Sequence, residues 1–120
     1  MTSTAETILQ QLVDMSLSLA RPNRDLVILG EGNTSANVGD GTFFVKASGY
    51  QLPQATPASF VRLYIDATAA IANHEDLSDA EFKAALDATK VDANDTRRPS
   101  TETVLHAIAL GEFGARFVGH

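Results

Sequence analysis

Apolar residues first recur at the helical interval: Ile8, Leu9, Leu12, Val13 and Leu19, with Ser16 among them, make one mostly apolar face. This predicts a helix from about Ala5 to Ala20, with Ser3 and Glu6 at capping-box spacing and Pro22 as its stop. The period then shortens. Leu26 to Leu29 is a brief apolar run, Gly30 to Ser35 a polar glycine-containing turn, and Ala36 to Val38 and Thr42 to Ala47 flank Asp40-Gly41. An Asp-Gly pair between two such runs predicts a hairpin, because its turn positions need positive φ.

Beyond a second polar turn, Ser48-Gly49-Tyr50-Gln51, Thr56 and Pro57 read as the cap and first position of a short helical turn. Val61, Leu63 and Ile65 then alternate with Arg62, Tyr64 and Asp66, the pattern of a half-buried strand. A small helical piece is predicted from about Ala67 to Ala72. Ser78 and Glu81 form another capping box, opening a helix to about Lys90 with Phe82, Ala85 and Leu86 as its apolar contacts. Val91 to Arg98 is polar and irregular. Pro99 and Ser100 start a last helix to about Leu110, with Val104, Leu105 and Ile108 on its buried side, and Phe117-Val118 begins a final strand. Strands and hairpins interspersed with helices define an α/β or α+β chain with a mixed sheet.

Composition narrows the function. The chain has 120 residues and no cysteine, which excludes disulfides, thiolate metal sites and a cysteine nucleophile, and fits a reducing cytoplasm. No apolar run approaches the ~20 residues needed to span a bilayer, and the amino terminus lacks the basic start of a secretory signal. Nine Lys and Arg against fifteen Asp and Glu give a net charge of −6, the wrong sign for a protein that binds phosphate backbones. Neither a nucleic acid nor a membrane is expected as a partner.

Three polar turns sit where regular elements could aim donors at a ligand. In Gly30-Glu31-Gly32-Asn33-Thr34-Ser35, the glycines let an anion approach the backbone and Asn33 and Ser35 add side-chain donors; on spacing alone an ordinary strand-joining turn is the plainer account. Ser48-Gly49 follows a strand and is by itself a plain turn. Arg98-Pro99-Ser100-Thr101-Glu102 gathers hydroxyls and free N–H groups at a helix start, which serves an anion site or simply an N-cap at Ser100. The three histidines, His74, His106 and His120, have no metal-ligand spacing. His106 lies one turn after Glu102, within reach of a structural hydrogen bond, and Arg97-Arg98 is a basic pair beside the third turn.

The order of these turns resembles the class II aldolase/adducin family. The carrying motifs are Gly32-Asn33-Thr34-Ser35, then Ala47-Ser48-Gly49 after the next strand, then Pro99-Ser100-Thr101-Glu102 opening a helix with Leu105-His106 one turn on, and Phe117-Val118-Gly119-His120, the first histidine of a His-x-His pair. The long insert between Asp66 and Arg97 and the Arg-Arg-Pro-Ser-x-Glu run are most like sugar-aldolase relatives of unassigned substrate.

The resemblance implies an α/β (by some schemes α+β) three-layer sandwich around a central mixed or antiparallel sheet. Residues 1–120 would form one domain, the amino-terminal part of the family's fold, cut short at its carboxyl end. It implies a cytoplasmic, homo-oligomeric lyase of carbohydrate metabolism, cleaving a small sugar or sugar phosphate by a retro-aldol reaction. A zinc-like divalent cation (Zn2+) held by three histidines would stabilise the enediolate. Carried over by motif, Asn33, Ser48, Gly49, Ser100 and Thr101 cradle the anionic end of the substrate, Ser35 orients the first turn, Glu102 is the catalytic acid/base and His120 the first metal ligand. With one of the three histidines in hand, two alternatives stay open: a non-catalytic, adducin-like self-association module, and a sugar-phosphate 4-epimerase or dehydratase of the same superfamily.

Overall fold

A computed structural model of the chain describes residues 4–21, 32–74, 76–100 and 102–119. The expected Ser3 cap, Pro22 stop, Leu26–Leu29 strand and the first two residues of the Gly30–Ser35 turn lie outside them, as do Thr101 and His120. The described elements are α1 (Thr4–Leu19), β1 (Thr34–Asn37), β2 (Thr42–Lys46), β3 (Phe60–Tyr64), α2 (Ile65–Ala69), α3 (Asp79–Asp87), α4 (Thr103–Gly111) and β4 (Phe117–Gly119), with short 3-10 turns at Leu52–Gln54, Pro57–Ser59 and Ala70–Asn73.

The strands form an antiparallel sheet in the order β3-β2-β1-β4. Its two faces are covered by different helices, as strand alternation dictates. Ala36, Phe44 and Phe60 point to one face and pack with Ile8, Leu12 and Val13 of α1. Phe43, Val45, Val61 and Leu63 point to the other, against Ile65 at the start of α2 and Ala107 and Leu110 of α4. The three-layer α/β/α arrangement expected from the sequence is therefore present, and the described sheet is antiparallel throughout.

β1 is the unusual strand, because its polar residues are buried on both faces. Thr34 pairs with Ser16 of α1 across 2.7 Å, while on the opposite face Ser35 meets His106 of α4 and Asn37 donates to the Leu110 carbonyl at 3.4 Å. Buried polar groups must be hydrogen-bonded, so these pairs set how both helices sit on the sheet.

The Asp40-Gly41 hairpin forms where expected, with Val45 opposite Ser35 and Phe43 opposite Asn37. Asp40 accepts from Thr42 and from Arg62 of the adjacent strand at 2.7 Å, and the Thr42 hydroxyl bond in particular holds its carboxyl below the usual carboxylate range. The Ser78–Glu81 capping box also forms: Ser78 Oγ accepts from the Glu81 N–H at 3.1 Å and Glu81 Oε1 from the Ser78 N–H at 3.3 Å. The helical piece expected near Ala67–Ala72 begins two residues earlier, at Ile65, and runs into a 3-10 turn.

The last helix departs from expectation in start and rotation. It begins at Thr103, with Glu102 at its N-cap, so Ser100 is not the cap. Arg98 and Pro99 are instead held extended: Pro99 bridges Ala47, and the Ser48 N–H donates to the Arg98 carbonyl at 2.6 Å. A residue before proline avoids the helical region, which favours this choice. Leu105, expected inside, is 66% exposed, whereas His106 is 1% exposed. The helix is apolar on nearly every side, so periodicity left its orientation open, and the His106–Ser35 bond fixes it.

Candidate functional site

Two polar turns are brought together by the extended pairing just described. Ser48 and Gly49 follow β2, Ser100 and Glu102 precede α4, and the 2.6 Å bond from the Ser48 N–H to the Arg98 carbonyl ties the two segments side by side. Gly49 has φ +91, a left-handed conformation that a side chain would strain. Ser48, Ser100 and Glu102 line one cleft of about 270 Å³, shared with Arg98 and with Lys83 and Asp87 of α3.

The first turn joins from behind. Asn33, buried at the start of β1, donates from Nδ2 to Glu102 Oε2 at 3.2 Å, and its Oδ1 is buried without a hydrogen-bond partner among the described residues. An orphaned carbonyl of this kind costs about 1–3 kcal/mol. Ser35 lies deeper. It is fully buried, paired with His106 Nδ1 at 2.6 Å, and it does not line the cleft. Ser100 Oγ sits 3.4 Å from Thr103 Oγ1.

Sequence reasoning missed Lys46. It ends β2, is 7% exposed, and donates from Nζ to the Tyr50 carbonyl at 2.5 Å and to the Ala47 carbonyl at 3.4 Å. Burial pushes its pKa below the ordinary lysine value, and the Glu102 carboxylate acts in the opposite sense. The lysine thus braces the Ser48-Gly49 turn from beneath and brings positive charge to Glu102. The signal was legible: a lysine closing the buried run Thr42-Phe43-Phe44-Val45 needs a polar partner. The α3 wall of the cleft had no such signal.

Arg97, half of the basic pair, is structural. It grips Asp95 with two nitrogens, Nε at 3.0 Å and Nη2 at 2.6 Å, and its Nη1 donates to the Ala58 carbonyl at 2.8 Å, fastening the 92–98 loop to the turn before β3. That bidentate bond holds the Asp95 carboxyl at about 2, well under its ordinary 3.8. A depressed carboxylate stabilises the fold above its unfolded pKa and loses that contribution as pH falls through the folded value. With Arg97 partly open to solvent, Asp95→Asn is expected to cost about 1–2 kcal/mol at pH 7. Urea unfolding at pH 7 and pH 2 should show the gap between wild type and variant closing in acid.

Among the described residues no three His, Asp or Glu side chains converge to hold a metal ion. His74 is exposed after a 3-10 turn, and His106 has Nδ1 committed to Ser35. The described side chains do not by themselves fit the expected cation, and the placements of His120 and Thr101 fall outside the description. No described helix is long and apolar enough to cross a membrane.

The three-layer α/β/α sandwich thus carries one polar cleft between its β2 turn and the pre-helical Pro-Ser-x-Glu segment. The family model for the Class II Aldolase and Adducin N-terminal domain matches residues 10–120, and the chain belongs to this family. Among solved structures it is similar to the N-terminal class II aldolase domain of a conserved protein from Thermoplasma acidophilum, with TM-score 0.76 and 26% identity over 93% of this chain and 53% of that one. It also shares the fold of an L-fuculose 1-phosphate aldolase, with TM-score 0.57 and 19% identity over 97% of this chain and 41% of that one. The chain thus spans about half the length of these structures. No curated protein sequence matches it.

Proposed function

We propose that this chain carries the substrate-anion cradle and the acid/base group of a class II aldolase-type site acting on a small sugar or sugar phosphate. The observation that carries the reading is the convergence of Ser48, Ser100 and Glu102 on one cleft, with buried Asn33 bonded to Glu102 and keeping an unused acceptor. In this reading the Ser48 and Ser100 hydroxyls, the Gly49 backbone and Thr101 hold the anionic end, as neutral donors do in oxyanion and phosphate sites. Asn33 holds the Glu102 carboxylate in place through its 3.2 Å bond. Glu102 moves the proton on the carbon next to the carbonyl, where a carboxylate can act as general acid/base. His120 is the residue of this chain that would help to hold a divalent cation, which would supply Lewis-acid chemistry there.

Titrating the chain with dihydroxyacetone phosphate, followed by NMR, tests the cradle. Saturable binding is expected, weakened about fivefold or more by Ser100→Ala through loss of one hydrogen bond to a charged group. A chain that shows no saturable shift, and that self-associates in sedimentation, would overturn this reading in favour of the non-catalytic module.

A further inference from the structure

The charges around the cleft are unevenly matched. Among the described residues three cations are ion-paired: Arg62 with Asp40 at 2.7 Å, Lys90 with Asp87 at 3.2 Å, Arg97 with Asp95 at 2.6 Å. Of the four charged groups lining the cleft, both carboxylates are engaged, Asp87 by Lys90 and Glu102 by Asn33 and the nearby charge of Lys46. The two cations, Lys83 and Arg98, make no hydrogen bond or ion pair among the described residues. In a chain of net charge −6, carboxylates are not scarce, yet neither cation is answered by one.

Their positions come from separate parts of the fold. Arg98 springs from the seam between the two turns, because its own carbonyl is the group that Ser48 binds. Lys83 comes from α3, in the long insert, and approaches from another wall. The cleft, about 270 Å³, falls just under the ~300 Å³ at which drug-sized pockets begin, a size suited to a small metabolite.

Resting on the reading above, in which neutral donors hold one anionic end, we infer that Arg98 and Lys83 recognise a second anionic group, a carboxylate, on the same ligand. The substrate class is then a phosphorylated sugar acid rather than a neutral sugar or a simple sugar phosphate. The planar guanidinium of Arg98 suits a carboxylate in two-point contact, and the Lys83 ammonium adds charge without demanding geometry. Both side chains are specificity-determining and neither takes part in proton transfer.

The test compares two probes of equal length sharing a phosphate, sn-glycerol 3-phosphate and 3-phosphoglycerate, titrated into the chain at low ionic strength and followed by NMR. The wild type is expected to bind 3-phosphoglycerate about fivefold tighter, the scale of two partly exposed charge contacts. The double variant Lys83→Gln/Arg98→Gln should lose that preference while keeping its affinity for glycerol 3-phosphate within about twofold. Lys83→Gln alone, an exposed helix position with an uncharged isostere, should lose about half of the preference in logarithmic terms and serves if the double variant misfolds. Equal affinity for the two probes in the wild type, or a preference that survives the double variant, overturns the inference while leaving the cradle standing. Failure of both probes to bind overturns the cradle and this inference together.

Discussion

Phe43→Ala is expected to cost about 3–5 kcal/mol, the range for truncating a fully buried aromatic, and so to remove much of the ~5–15 kcal/mol that typically holds a domain together. Phe43 is fully buried in the centre of β2, opposite Leu63 on one side and Asn37 on the other, and it anchors the cluster that seats α4 through Ala107 and Leu110. A cavity there cannot collapse easily, because strands flank it and a helix covers it. Leu105→Ala, on the same helix that Phe43 supports, should by contrast stay within about 0.5 kcal/mol, since Leu105 is exposed. Denaturant unfolding of the pair measures both. A Leu105 variant as damaging as Phe43→Ala would mean that α4 is rotated from the orientation described.

That contrast marks where the sequence was readable. Elements whose pattern had one physical solution were recovered: the amphipathic α1, the Asp40-Gly41 hairpin, the alternating β3 and the Ser78–Glu81 capping box all form as expected. α4 failed differently. Thr103-Val104-Leu105-His106-Ala107-Ile108 offers no polar stripe, so its facing depended on a long-range bond, Ser35 to His106, that no local pattern contains. Its start was misplaced for a related reason. Pro99-Ser100 has the local chemistry of a helix start, but pairing with Ala47 and Ser48, some fifty residues upstream, holds the segment extended.

The site divides along the same line. Asn33, Ser48, Ser100 and Glu102 were singled out as candidates through short motifs, and their proximity is visible in the Asn33–Glu102 bond and in the cleft that the other three share. Lys46 was overlooked because it reads as the end of a strand. Lys83 was overlooked because α3 is an ordinary amphipathic helix until folding brings it against the Pro99-Ser100 segment. Nothing in its own sequence says which neighbour it will meet.

The bond that orients α4 also supports the site, and this gives Ser35→Ala an effect beyond stability. The Ser35 hydroxyl and His106 Nδ1 are paired at 2.6 Å with both residues buried, so truncation leaves a buried ring nitrogen without that partner and is expected to cost about 1–3 kcal/mol. Asn33 lies two residues before Ser35 and Glu102 one helical turn before His106, so the same bond sets the spacing across which Asn33 reaches Glu102 at 3.2 Å. Ser35→Ala should therefore weaken dihydroxyacetone phosphate binding as well as stability. Thr34→Val provides the control: it breaks the 2.7 Å bond to Ser16 on the opposite face and should destabilise comparably, with the cleft's affinity unchanged. Urea unfolding and ligand titration of the two variants separate these effects. A Ser35→Ala chain as stable as wild type, or one no weaker in binding than Thr34→Val, would show that α4 is held in place by apolar packing alone.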